Sequence, residues 1–173
     1  MPAWSAMTDR SHEQRGLPRR RSPRLRDFDY PASSAYSITI CTRDRLTFFS
    51  DQAVGQEVMR CLEDQAQQSG YRLVAYCIMP DHIHILTGPS VQHRALPLSR
   101  FIRQFKSAAT HRLGKLGITG PIWQRSFYDH ILRKEEELAQ VVNYILANPV
   151  RKGLVHAPEA YALSRCFLEN CPT

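Results

Sequence analysis

The sequence predicts an α+β fold: a ferredoxin-like β-α-β-β-α-β unit with a four-stranded antiparallel sheet, followed by an added C-terminal helix. Three observations lead there. Runs of β-forming residues with a period of two alternate with segments whose apolar residues recur at helical spacing. The link Met79-Pro80-Asp81 between the second and third strands is too short for a parallel crossover, so those strands must be antiparallel neighbours. The length, 173 residues, fits one domain with extensions at its ends.

The order along the chain is as follows. Residues 1–31 read as a basic, flexible arm carrying Arg15, Arg19, Arg20, Arg21, Arg24 and Arg26. Like charges in a block repel, and arginine suits bidentate phosphate contacts, so the arm is expected to lie along phosphates. Residues 32–156 form the folded domain, and 157–173 a C-terminal tail too irregular to assign. Residues 35–42 alternate polar and apolar side chains as strand one. Ser50 or Asp51 can cap a helix whose apolar face is Val54, Val58, Met59, Cys61, Leu62 and Ala66, and Gly70 stops it. Strand two, 71–78, is expected to place Leu73, Ala75 and Cys77 on one face and Arg72, Val74, Tyr76 and Ile78 on the other. Strand three covers 82–87. A second helix from Leu98 buries Phe101, Ile102, Phe105, Ala108, Ala109 and Leu113 and leaves Arg100, Arg103, Lys106 and, further round, Arg112 on a basic face. Strand four covers 127–132. A third helix opens at Glu135, with Leu138, Val141, Val142, Ile145 and Leu146 apolar, and is expected to end at Pro149.

Lys plus Arg number 23 against 16 acids, a formal charge of +7, which favours polyanionic partners. There is no apolar run of about 18 residues, so no membrane span is indicated, and no secretory h-region. The five cysteines are odd in number and form no C-x-x-C pair. Reduced thiols and a cytoplasmic location are expected, with no disulfide framework and no cysteine zinc site.

The chemistry centres on Met79-Pro80-Asp81-His82-Ile83-His84-Ile85. Two imidazoles at i, i+2 on a strand share one face while Ile83 and Ile85 share the other, which makes half of a metal site. Asp81 can orient a histidine or cap the turn. Tyr144 and Asn148 lie four apart, on one face of the third helix, and are candidates for the other half. Read alone, Tyr144 is also a core tyrosine with its hydroxyl bonded, and Asn148 a helix C-terminal residue.

Three blocks then make a resemblance: Met79-Pro80-Asp81-His82-Ile83-His84-Ile85; Trp123-Gln124-Arg125-Ser126-Phe127-Tyr128-Asp129-His130; and Tyr144-Ile145-Leu146-Ala147-Asn148-Pro149-Val150-Arg151-Lys152-Gly153-Leu154-Val155. In this order and spacing, over roughly residues 36–155, the chain resembles the IS200-like single-tyrosine HUH transposases, and more narrowly the REP-associated tyrosine transposases. The resemblance implies metal-dependent cleavage and strand transfer of single-stranded or REP-like hairpin DNA through a 5′-phosphotyrosine. It implies Tyr144 as nucleophile and His82 and His84 as metal ligands. Asn148 stands where wider relatives use a glutamine as third ligand, one methylene longer. Mg²⁺ or Mn²⁺ is the implied cation. Arg19, Arg20, Arg21, Arg24, Arg26, Arg100, Arg103, Lys106 and Arg125 are the expected DNA contacts, with Trp123, Phe127 and Tyr128 available to stack on bases. Asp129 and His130 could border the site. A monomer is favoured over a dimer. Two other readings stay open: a non-catalytic ferredoxin-like nucleic-acid-binding module, and a structural or regulatory metal protein.

Overall fold

The computed structural model describes residues 35–90, 94–132, 135–169 and 171. The arm assigned to residues 1–31, with Arg19, Arg20, Arg21, Arg24 and Arg26, lies outside them. The elements are β1 (Ala35–Cys41), α1 (Gln52–Gln68), β2 (Tyr71–Met79), β3 (His82–Pro89), α2 (Leu98–Lys115), β4 (Tyr128–Leu132), α3 (Glu135–Arg151) and β5 (Ser164–Cys166). The sheet order is β4-β1-β3-β2-β5, with every pair antiparallel. The four expected strands thus take the ferredoxin-like order. The region after residue 156 adds a fifth strand on the β2 edge, too short at three residues to show a period. It is anchored by Leu163, whose carbonyl accepts from Ile78 N (2.9 Å), and by the Tyr161 hydroxyl, which donates to Ile78 O (2.8 Å). Leu163 also sits where a Cβ on Gly55 would stand, so a larger residue there would force the Leu163 side chain to shift.

The two faces of the sheet bury different sets of residues. Ile38, Ile40, Tyr76, Ile78, Ile83 and Ile85 meet α1 and α2 through Val58, Leu62, Phe101 and Phe105. Val74, Ala75, Cys77, Met79 and Leu86 meet α3 through Val142 and Ile145. Strand two departs from the expected alternation. The pairing with β3 shifts between Leu73 and Ala75, and this bulge puts Leu73 on the α1–α2 side with Tyr76 and Ile78, and Val74 on the α3 side. A bulge supplies one extra residue, so strict alternation fails at that point.

Local chemistry fixes the helices. Asp51 caps α1, its Oδ1 accepting from Ala53 N (2.8 Å) and Val54 N (3.2 Å). Gly70 follows at φ 74°. Arg112, expected on an open basic face, instead bridges α2 to α1 through Asp64 (2.6 Å) and Glu57 (3.4 Å). Pro149 does not end α3, which continues to Arg151. The proline has no N–H for the Ile145 carbonyl four residues back. The Asn148 side chain takes that place, its Nδ2 donating to Ile145 O (3.4 Å) and to Tyr144 O (2.7 Å). The helix stops at Gly153 (φ 68°), with Leu154 N on Pro149 O and Gly153 N on Val150 O, a Schellman ending.

Cys41, Cys61 and Cys77 are free and buried, as small apolar residues would be. Cys166 and Cys171, however, are paired, against the expectation of reduced thiols throughout. The chain turn after β5 brings the two together across five positions, a proximity that residue spacing alone does not reveal. Among the described residues no helix is long and apolar enough to cross a membrane.

Candidate functional site

The β2–β3 turn is held rigidly. Thr42, fully buried, bonds Asp81 O through its backbone N (2.9 Å) and its hydroxyl (2.9 Å), and Phe49 N donates to Pro80 O (3.0 Å). Those anchors fix the start of β3, where His82 pairs with Met79 and Cys41, and His84 with Cys77 and Thr39. Cross-strand partners share a face, so both imidazoles stand on the α3 side of the sheet.

There the two rings meet edge to face, with their Nε2 atoms 3.1 Å apart. Each Nδ1 has its own partner: Asp81 Oδ1 at 2.6 Å for His82, and Thr39 Oγ1 at 3.1 Å for His84. Were Nδ1 the protonated nitrogen on both rings, these partners would leave both Nε2 lone pairs free for a ligand. At 3.1 Å apart, the two Nε2 atoms would be close enough to ligate one cation together. Burial first, then the charges of His82 and Arg45, pull His84 down to about 4 against the opposing effect of Asp81, so the ring is neutral at pH 7. Burial would raise Asp81. The His82 hydrogen bond, with the charges of His82 and Arg45, outweighs that and keeps Asp81 below the ordinary range. Arg45 reaches Asp81 Oδ2 (3.2 Å) from a turn in which Asp44 and Arg45 both hold left-handed backbone, φ 52° and 57°.

Tyr144 comes to this pair from α3. Its ring meets His84 edge to face with centroids 5.8 Å apart, and it is 49% exposed. The structure therefore brings His82, His84 and Tyr144 together within one chain. Asn148 is one turn further along α3 and 7% exposed. Its carboxamide nitrogen is committed to the helix carbonyls, which leaves the oxygen as the only atom it can offer a cation. Among the described residues no group of three or more His, Cys, Asp or Glu is placed to hold a metal. The donor set that fits a divalent ion is thus two imidazoles, with oxygens making up the rest.

The other expected contacts divide. Arg100, Arg103 and Arg125 line a groove of about 330 Å³ with Ile102, Lys106 and Phe127, on the side of the sheet away from the histidines. Among the described residues none of these three arginines has a carboxylate partner. The Lys106 ammonium, at the same groove, donates to the carbonyls of Gln124 (2.8 Å) and Ser126 (3.1 Å) and ties down the loop before β4. The Trp123 indole N–H goes to Lys106 O and Thr110 Oγ1, both 3.1 Å, and its half-buried ring packs on Phe49 and Phe105. Tyr128, 60% exposed, is opposite Thr39, and the exposed His130 is opposite Ser37, so both share the histidine face. Asp129 is opposite Ile38 and turns to the other side.

Sequence reasoning missed Thr39 and Arg45. The Thr39–His84 contact follows from strand register across 45 positions, and Arg45 from an unusual backbone turn, neither of which residue types disclose.

A family model described as "Transposase IS200 like" matches residues 32–148. The chain belongs to the IS200-like transposase family. This transposase is similar to a Haemophilus influenzae protein provisionally named a REP-associated tyrosine transposase, 26% identical over 144 residues that cover 79% of this chain and 81% of the relative. It is also 31% identical, over 86 residues, to the REP-associated tyrosine transposase of Escherichia coli, covering 49% of this chain and 48% of that one. Its fold matches a solved REP-associated tyrosine transposase bound to a REP hairpin, with a TM-score of 0.67 and 22% identity over 80% of this chain and 79% of the other. Membership makes the chain a DNA-processing enzyme.

Proposed function

We propose that this transposase cuts single-stranded DNA beside a REP-like hairpin and rejoins it through a covalent link to Tyr144. The observation that carries the reading is the Tyr144 ring set against His84, whose Nε2 meets that of His82 at 3.1 Å. Tyr144 Oη bonds to phosphorus as the bond from phosphorus to the 3′ oxygen breaks. The phenol proton passes to solvent, and the departing 3′ oxygen takes one up to become a hydroxyl. The product is a 5′-phosphotyrosine that keeps the phosphodiester energy, so a 3′-hydroxyl can reverse the step and join strands.

His82 and His84 would hold a divalent cation, Mg²⁺ or Mn²⁺, with the Asn148 oxygen as third protein donor. When bound, the cation supplies charge neutralisation at the scissile phosphate. Asp81 and Thr39 hold the imidazole tautomers that such binding needs. Arg100, Arg103 and Arg125 take phosphates on the far face, and Tyr128 stacks an unpaired base where the strand crosses the β4 edge. Because one chain supplies both histidines and the tyrosine, a monomer suffices.

The test is incubation of the protein with end-labelled REP-like hairpin DNA carrying single-stranded flanks, with Mn²⁺. A covalent adduct is expected, lost with EDTA and lost in Tyr144→Phe. Binding without any adduct would leave a nucleic-acid-binding module instead.

A further inference from the structure

The Arg151 guanidinium lies over the Tyr144 ring, 4.9 Å from its centroid. Seven residues are within about 20° of two full helical turns, so the two positions share one face of α3. The arginine Cβ points back toward the helix N-terminus, so its side chain runs along this face toward the Tyr144 ring two turns earlier. This placement requires α3 to stay helical past Pro149. The Asn148 side chain makes that tenable by bonding the Ile145 carbonyl, and the Schellman ending at Gly153 closes the helix just beyond Arg151.

Most arginines with a described ion pair, such as Arg60, Arg112 and Arg165, face a glutamate or aspartate of α1. Arg151 has no carboxylate partner among the described residues, and it is exposed. It stands beside a phenol that is itself 49% exposed, with His84 against the same ring. A guanidinium placed over an aromatic ring with no carboxylate on it has N–H donors left for other partners, and its fork is shaped for two phosphate oxygens.

Resting on the nucleophile assigned above, we propose that Arg151 is the phosphate-binding partner of Tyr144: it holds the ring in place and gives its N–H edge to the non-bridging oxygens of the phosphate that Tyr144 attacks. The charge that builds on those oxygens as the Tyr144–phosphorus bond forms is then met by a fixed cation within the same helix. The simpler role for a cation in a last helical turn is to complement the helix dipole. That role would affect stability and leave the rate on bound DNA unchanged.

Single-turnover adduct formation on saturating labelled hairpin DNA with Mn²⁺ separates the two. Arg151→Ala should slow the saturated rate about 100-fold, while hairpin affinity by fluorescence anisotropy stays within about threefold. Arg151→Lys, keeping charge without the fork, should recover only part of the rate. Millimolar guanidinium should accelerate Arg151→Ala and leave wild type unchanged. A saturated rate for Arg151→Ala within threefold of wild type, or a loss confined to affinity, overturns the proposal. Should Arg151→Ala melt early, Arg151→Lys and Arg151→Gln carry the same comparison. Tyr144→Phe runs alongside: an adduct in that variant refutes the nucleophile assignment itself, a different failure from a silent Arg151.

Discussion

Replacing Asp81 by asparagine tests how the histidine pair is held. Asp81 Oδ1 accepts from His82 Nδ1 at 2.6 Å, and Oδ2 accepts from Arg45 at 3.2 Å. Asparagine keeps the shape but loses the charge that favours an Nδ1–H tautomer and a basic Nε2 on His82. If its oxygen stays on His82, its amide N–H₂ is left facing the Arg45 guanidinium. Loss of such a partner lowers metal affinity about 10–100-fold, equivalent to about 1.4–2.7 kcal/mol. The effect on folding should be smaller. The Arg45 side chain is 53% exposed, and such a surface pair contributes at most about 1 kcal/mol. The assay is titration calorimetry with Mn²⁺ on wild type and Asp81→Asn, paired with thermal melts. Affinity within twofold of wild type would refute the argument that Asp81 sets the ligand geometry. So would a fall in melting temperature large enough to account for the loss.

Three other outcomes follow from the same coordinates. His84 is pulled from 6.5 to about 4, so the unfolded chain binds a proton across that window and the native one does not; stability should fall by about 3 kcal/mol at most as pH drops from 6.5 to 4, read in melts that flatten in His84→Asn. Asn148→Ala leaves the Ile145 carbonyl without a donor, which should cost about 1–2 kcal/mol, or about 3–6 °C in melting temperature; in a Pro149→Ala background, which restores the backbone N–H, the same change should cost clearly less, and an unchanged cost would count against the Asn148–Pro149 pairing. Replacing Arg100, Arg103 and Arg125 together by alanine should reduce the slope of log affinity against log salt for hairpin DNA by about 2–3, whereas Arg112→Ala should lower stability and leave that slope alone.

Much of this architecture is written in local patterns. Period-two runs located β1 to β4, and helical spacing located the apolar faces of α1, α2 and α3, because each element buries one face against the sheet. The His82–His84 pair on one face of β3, and its nearness to a tyrosine from the last helix, follow from that patterning once the blocks of the family are seen. Features that depend on geometry between distant residues were not legible. The bulge at Leu73–Ala75 exchanges two residues between faces without changing composition. Pro149 reads as a stop until the Asn148 side chain is seen to serve the carbonyl it orphans. Lys106 and Trp123 look like surface groups on a helical wheel and a loop, yet both hold the loop before β4 against α2. The three-residue β5 and the Cys166–Cys171 pair need the β2 edge as a template, which no local window contains.

The most direct measurement is peptide mapping of the covalent complex. The protein is trapped on a single-stranded substrate whose cleavage releases the 5′ fragment with its 3′-hydroxyl, digested with trypsin and nuclease, and sequenced by tandem mass spectrometry. The account predicts a nucleotide phosphate on Tyr144 alone, in the presence of Mn²⁺ or Mg²⁺. A phosphate mapped to Tyr128, Tyr161 or any residue other than Tyr144 would contradict it, as would cleaved DNA that carries no protein at all.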